Sequence, residues 1–117
     1  MEKIKTPYGD LSLKAFTYPN NRLALLLYTD DGELFDDLTI NLPYITIRDD
    51  EGFINSSIEM INTDDFNIIN LLRDLGIIET SYGYTQYNFG RYDYVKFNMD
   101  VLKNYDKRGI TKYLKQI

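Results

Sequence analysis

RLALLLYTDDGELFDDLTINLP, residues 22–43, decides how this chain is read. It opens with the longest apolar run in the sequence, Leu23 to Tyr28, and passes through a turn of three acids and a glycine, Asp30-Asp31-Gly32-Glu33. From Leu34 to Leu42 the pattern alternates: Leu34, Asp36, Leu38, Ile40 and Leu42 fall on one face, Phe35, Asp37, Thr39 and Asn41 on the other. Alternation of period two after an Asp-Gly turn marks a β-hairpin, because glycine accepts the positive φ that tight hairpin turns require. The spacing predicts two antiparallel strands. Leu23, Leu25, Leu27, Leu38 and Ile40 supply core, and the carboxylates stay on the tip and flank.

Upstream, Lys3 to Thr6 reads as a short strand, Pro7-Tyr8-Gly9-Asp10 as a turn, and Leu11 to Phe16 as a second strand with Leu11, Leu13 and Ala15 on one face. Tyr18-Pro19-Asn20-Asn21 breaks it, since proline lacks a donor and asparagine accepts left-handed geometry. Downstream, Pro43 ends the fourth strand, Tyr44 to Arg48 is a short extended piece, and Asp49-Asp50-Glu51-Gly52 is another acidic turn. Phe53, Ile54 and Ile58 follow no clear period and are read as loop with at most a short strand. From Thr63 the period becomes helical: Phe66, Ile68, Ile69, Leu71, Leu72 and Leu75 share one face, Thr63 or Asp64 is placed to cap, and Gly76 to stop the helix. Asp64 and Asp65 fall in its first turn, where the helix dipole favours acids. The tract with Tyr82, Tyr84, Tyr87, Phe89, Tyr92, Tyr94 and Phe97 divides into two strands around Asn88-Phe89-Gly90. Within the second, Tyr92 and Tyr94 share one face, Val95 and Phe97 the other. Asn98 is placed to cap a helix Met99 to Tyr105, with a last turn from Thr111 to Ile117. The expected fold is α+β: one antiparallel meander of five or six strands, one main helix packed on a face, and a short C-terminal helix.

With 117 residues, 44% of them hydrophobic, the chain is one domain able to bury its own core. It contains no Cys and no His, which excludes thiol nucleophiles, zinc fingers, imidazole acid–base chemistry and a Ser-His-Asp triad. The opening MEKIKTPYGDL has no apolar core of signal-peptide length and no run approaches a membrane span, so a soluble cytoplasmic protein is expected. The net charge of −5 is uneven: residues 1–66 carry 13 acids and 5 bases, residues 67–117 carry 5 acids and 8 bases. Between 30 and 65 there are 11 acids against Arg48 alone. Such a run is ordinarily a solvated surface, and the sharper alternative is a recognition face for a basic partner.

The paired acids do not follow a calcium-loop spacing, and neighbours on a strand point to opposite faces, so neither metal nor cofactor is expected. Carboxylates spread along a hairpin instead approach the charge density of a nucleic-acid backbone and attract clusters of Lys and Arg. Asp30, Asp31, Glu33, Asp36, Asp37, Asp49, Asp50 and Glu51 are therefore the candidate partner-binding residues, with Tyr82 and Tyr84 as aromatic anchors. No catalytic residue is assigned. Tyrosine is enriched in strands for packing reasons, and no Gly-aromatic signature of an RNA-recognition domain is present, so direct nucleic-acid binding is not expected.

The segments IKTPYGDLSLKAFTYPNNRLALLLYTDDGELFDDLTINLP, GFINSS and a Tyr/Gly-rich tract ending in YVKFN together resemble a small domain-of-unknown-function family of bacterial mobile elements, plasmids and phages. Some members of that family are anti-CRISPR proteins. The resemblance runs from about Ile4 to Tyr105 and is carried by the TPYG turn, YPNNRLAL, GELFDDLTINLP and RYDYVKFN. It implies a non-enzymatic inhibitor acting in the bacterial cytoplasm on a type II RNA-guided nuclease, with or without its guide RNA. The acidic face as docking surface is read from charge, not from the resemblance. The runner-up is an accessory interaction domain of a mobile element or phage with no nuclease target.

Overall fold

The computed structural model describes residues 1–55, 58, 67–88 and 90–117. Among the described residues, eight strands form two four-stranded antiparallel sheets, and two helices complete the α+β fold. The first sheet is the predicted meander: β1 (Ile4–Thr6), β2 (Gly9–Thr17), β3 (Leu23–Tyr28) and β4 (Leu34–Asp37), paired in chain order. Leu11, Leu13 and Ala15 of β2 and Leu23, Leu25 and Leu27 of β3 are buried, as the alternation requires. Gly32, at φ 83°, makes the β3–β4 turn that the Asp-Gly pair announces.

The expected single sheet divides at Leu38. Leu34 to Leu42 is not one strand: β4 pairs with β3, whereas Thr39–Ile40 (β5) pairs with Glu51–Ile54 (β6) in the second sheet. Leu38 still donates its N–H to Leu25 O at 2.9 Å, and one residue later the Thr39 hydroxyl accepts the Leu25 N–H at 3.1 Å. A side-chain oxygen thus replaces the backbone carbonyl at the point where the chain leaves the sheet. The tyrosine hydroxyl of Tyr18 meets Thr39 Oγ1 at 2.9 Å, and Asn55 N–H donates to Leu38 O at 2.8 Å, so the corner is hydrogen-bonded from both sides. The predicted face shifts accordingly. Leu34 is exposed, Phe35 packs against the core, Leu38 is fully buried and Ile40 half-buried.

The second sheet runs β5–β6–β8–β7, with β7 spanning Ile78–Tyr87 and β8 Gly90–Phe97. Tyr44 to Arg48 forms no strand. The stretch read as mostly loop instead holds β6, whose four residues are all buried between β5 and β8. Gly52 is needed there, because a Cβ would come within 2.9 Å of the Phe97 ring. Val95 and Phe97 of β8 are buried while Tyr92 and Tyr94 are half-buried on the opposite face, as the alternation indicates.

The helices reverse their expected sizes. The helix predicted from Thr63 is described as α1, Ile68–Asp74, capped by Asn67, whose side chain accepts from Ile69 N at 2.8 Å. The proposed caps Thr63 and Asp64, with Asp65, Phe66 and the hairpin residue Phe89, lie outside the described residues. Gly76 ends the helix region at φ 78°, as predicted. The longer helix is C-terminal: α2, Met99–Gln116, capped by Asn98 and interrupted at Asp106, where φ is −152° and ψ 78°. It packs on β2 through Leu102, Tyr105, Ile110 and Tyr113, which join both sheets and α1 in one core. No helix among the described residues is long and apolar enough to cross a membrane.

Candidate interaction site

The ten candidate residues occupy three places. Asp30, Asp31 and Glu33 sit on the exposed β3–β4 tip, where Thr29 brackets the turn: its N–H donates to Glu33 O at 2.8 Å and its carbonyl accepts from Gly32 N at 3.0 Å. Lys3, just ahead of β1, reaches the tip and pairs with Asp30 at 2.5 Å, and the hydrogen bond and charge of Asp30 raise the Lys3 ammonium above its ordinary value. Both side chains remain about half in solvent, so the pair orients the tip without neutralising it. Asp36 and Asp37 continue down the same hairpin. The Asp36 carboxylate turns back to accept the Asp37 N–H at 2.7 Å, which leaves Asp37 the more exposed of the two.

Asp49 and Asp50 lie at the other end of β3. Tyr113, which is fully buried and contacts Leu23, donates its hydroxyl to Asp49 O at 2.6 Å. Leu23 and Tyr28 are five strand steps apart, roughly 17 Å at ~3.4 Å per residue. Asp30, Asp31 and Glu33 therefore lie beyond the Tyr28 end of β3 and Asp49 near its Leu23 end, with Asp36 and Asp37, opposite Leu27 and Leu26, between the two.

Glu51 departs furthest from the expectation. It is 7% exposed and belongs to β6, not to a surface turn. Its Oε1 accepts the Tyr94 hydroxyl at 2.6 Å and the Arg48 backbone N–H at 2.8 Å. Burial opposes the charged form, but these donors, together with the Tyr82 hydroxyl and the Arg48 charge, outweigh it and hold the carboxyl below its ordinary value. On the other side of the bond, burial and then the Glu51 carboxylate push the Tyr94 hydroxyl up to about 12. Two hydroxyls, a backbone amide and a carboxylate so form a satisfied cluster, which costs far less to bury than an isolated charge.

Tyr82 lies over this cluster, its ring centroid 4.8 Å from that of Tyr94, and is about half exposed. Arg48, Asp50, Glu51, Tyr82, Tyr94 and Lys96 line an open polar cavity of about 570 Å³. Three candidates, Asp50, Glu51 and Tyr82, thus meet at one place. Tyr84 does not join them: its exposed ring carries the Arg91 guanidinium 3.6 Å from the centroid. Among the described residues no group of three or more acids converges as a metal site. No local pattern announces the Glu51–Tyr94 bond, since the partners are 43 residues apart and Glu51 follows two further acids, Asp49 and Asp50.

A family model described as a domain of unknown function (DUF4313) matches residues 11–117. No curated protein and no solved structure matches the chain.

Proposed function

We propose, from the premise that the chain belongs to the domain-of-unknown-function family DUF4313, that it is a non-enzymatic inhibitor of a bacterial defence nuclease of the RNA-guided, CRISPR-associated kind. The docking element is the β3–β4 hairpin, and the partner is the nuclease effector, alone or with its guide RNA, in the bacterial cytoplasm. One observation supports the docking element above all: of the five hairpin acids, only Asp30 has an ion pair among the described residues, and Asp31, Glu33 and Asp37 are exposed. The nuclease itself follows from the sequence resemblance described above.

Such nucleases hold nucleic acid in strongly positive channels and read the flanking motif with arginines. A hairpin tip with three carboxylates within four residues suits such a channel, steering encounter and competing with phosphate for the same cations. The Glu51 cluster has a supporting part: it fixes β6 and β8 and presents Tyr82 at the rim. The reading is tested with a purified type II effector loaded with guide RNA. The wild-type chain is expected to co-purify with it and to suppress plasmid cleavage. The Asp30→Lys, Asp31→Lys double variant is expected to keep its melting temperature and lose both effects. Inhibition unchanged in that variant removes the hairpin from the mechanism. Absence of binding and inhibition by the wild-type chain leaves the accessory-domain reading, in which the same acids meet a partner other than a nuclease.

A further inference from the structure

The break at Asp106 makes residues 107–116 a helical segment of their own. Asp106 caps it, accepting the Gly109 N–H at 3.1 Å. The inner side of this segment is spent on the core: Ile110 and Tyr113 are buried and Leu114 is partly buried. Its outer side has a different character. Lys107, Arg108, Lys112 and Lys115 are all exposed, and residues 107–117 contain no acid. None of the four has an ion pair among the described residues. At about 100° per residue, Lys107, Thr111, Lys115, Arg108 and Lys112 cover a continuous arc of about 140°. At ~1.5 Å per residue the charges extend along about 12 Å.

Helix stability does not account for this placement. Lys107 and Arg108 stand in the first turn, where the macrodipole favours acids, and no acid stands at the neighbouring positions to form the usual i,i+4 pairs. A solvated helix face normally mixes both signs. Here four cations are uncompensated on a molecule of net charge −5.

We propose that the outer face of residues 107–116 binds the phosphate backbone of duplex nucleic acid, independently of base sequence. Two features favour this partner over the others that basic helices serve. A protein interface is centred on several aromatic or apolar anchors, whereas Ile110 and Tyr113 of this segment are buried and the exposed apolar side chain beside Lys107, Arg108, Lys112 and Lys115 is the flexible N-terminal Met1. A membrane-binding helix inserts an apolar side, and that side is already packed on β2. Phosphates need only cations at suitable spacing, and ~12 Å of duplex axis carries about seven charges. The absence of nucleic-acid contact expected from the sequence rested on the packing role of the tyrosines and the missing RNA-recognition signature, and this face depends on neither.

The test is fluorescence anisotropy of the full chain with a labelled 20-base-pair DNA duplex and an RNA duplex of the same sequence. Four phosphate contacts give a slope of about −3.6 in log K against log salt, a loss of about 150-fold between 50 and 200 mM NaCl. Binding is expected with that slope, and the Lys107→Gln, Arg108→Gln, Lys112→Gln, Lys115→Gln variant is expected to lose at least tenfold in affinity at 50 mM salt. The control Lys5→Gln, Lys14→Gln, which removes exposed cations of β1 and β2, is expected to bind as the wild type does. Equal affinity for the two duplexes supports phosphate recognition that ignores the sugar, and a preference for either duplex supports it and identifies that duplex as the source. No binding at 50 mM salt overturns the proposal. So does binding that survives the quadruple substitution, or co-sedimentation with phosphatidylserine vesicles in place of duplex binding. The inference goes beyond the inhibitor reading and fails separately from it: the Asp30→Lys, Asp31→Lys variant retains duplex binding even where inhibition is lost.

Discussion

The carboxylate of Asp106 accepts the backbone N–H of Ala15 at 2.9 Å, across 91 residues of chain. β1 covers β2 only from Gly9 to Leu11, so beyond that point the β2 edge has no strand partner on this side among the described residues. Asp106 supplies one acceptor there with Oδ2, while its Oδ1 caps the final helical segment. One buried side chain thereby joins the sheet edge to the helix break.

Replacing Asp106 by Ala leaves the Ala15 N–H without its acceptor and removes the cap. The expected loss is about 2–4 kcal/mol, the sum of an unsatisfied buried donor and a lost N-cap. Asp106→Asn keeps one acceptor oxygen and is expected to lose about half as much. Urea denaturation checks this through the midpoint, with the slope unchanged.

Gly109 lies under the same carboxylate. A Cβ at this position would stand 2.7 Å from Ala15 O and closer still to Asp106 Oδ2, one partner being rigid backbone and the other held by two hydrogen bonds. Gly109→Ala is therefore expected to destabilise by about 1–3 kcal/mol. An exposed helical glycine would gain about 1 kcal/mol from the same change. The sign of the shift in melting temperature decides between them.

The tyrosine hydroxyls make stability fall in alkali. Burial and then the Asp49 charge push Tyr113 up to about 12, and burial and then Glu51 push Tyr94 to the same value, against an ordinary 10.0. Both must lose a proton to charge, so the stability they contribute is full below pH 10 and disappears as pH rises through about 12. Glu51 acts at the other limit: with its carboxyl below 4.5, its contribution is full above that pH and is lost as pH falls through the folded value. Melting temperature measured from pH 9 to 12.5 is expected to fall steeply above pH 10, and less steeply in Tyr94→Phe and Tyr113→Phe. An equal decline in both variants and the wild type would falsify the assignment.

At the corner between the sheets, Thr39→Val retains the shape and removes the hydroxyl. Leu25 N–H then loses its acceptor at a position 2% exposed, and Tyr18 loses a partner. The expected cost is about 1–3 kcal/mol. Thr39→Ser restores the oxygen and is expected to recover most of it, which hydrogen exchange at the Leu25 amide reports directly.

Much of this fold was legible because local pattern and tertiary packing agree. The faces of β2, β3 and β8, the Gly32 turn, the Asn98 cap and the Gly76 stop all follow from period and turn chemistry. Leu38 defeats the same reasoning: alternation continues through Leu42 while the chain changes sheets, since period two states which face a residue takes but not which strand it pairs with. β6 was hidden because Glu51 is a buried acid and Gly52 an apparent turn residue, and both identities are explained only by distant partners, Tyr94 and Phe97. Of the candidate site, exposure of the hairpin acids was readable from composition. The distance of the tip acids from Asp49 was not, because charge counts along a chain carry no distance.

The corner at Leu38 and Thr39 also governs how the molecule comes apart. Residues 34–40 close one sheet and begin the other, so neither half owns that seam. Loosening it exposes both sets of strands together, and partial melting with one sheet left intact has no natural boundary to stop at. A seam shared in this way is expected to make the two sheets unfold as one cooperative unit.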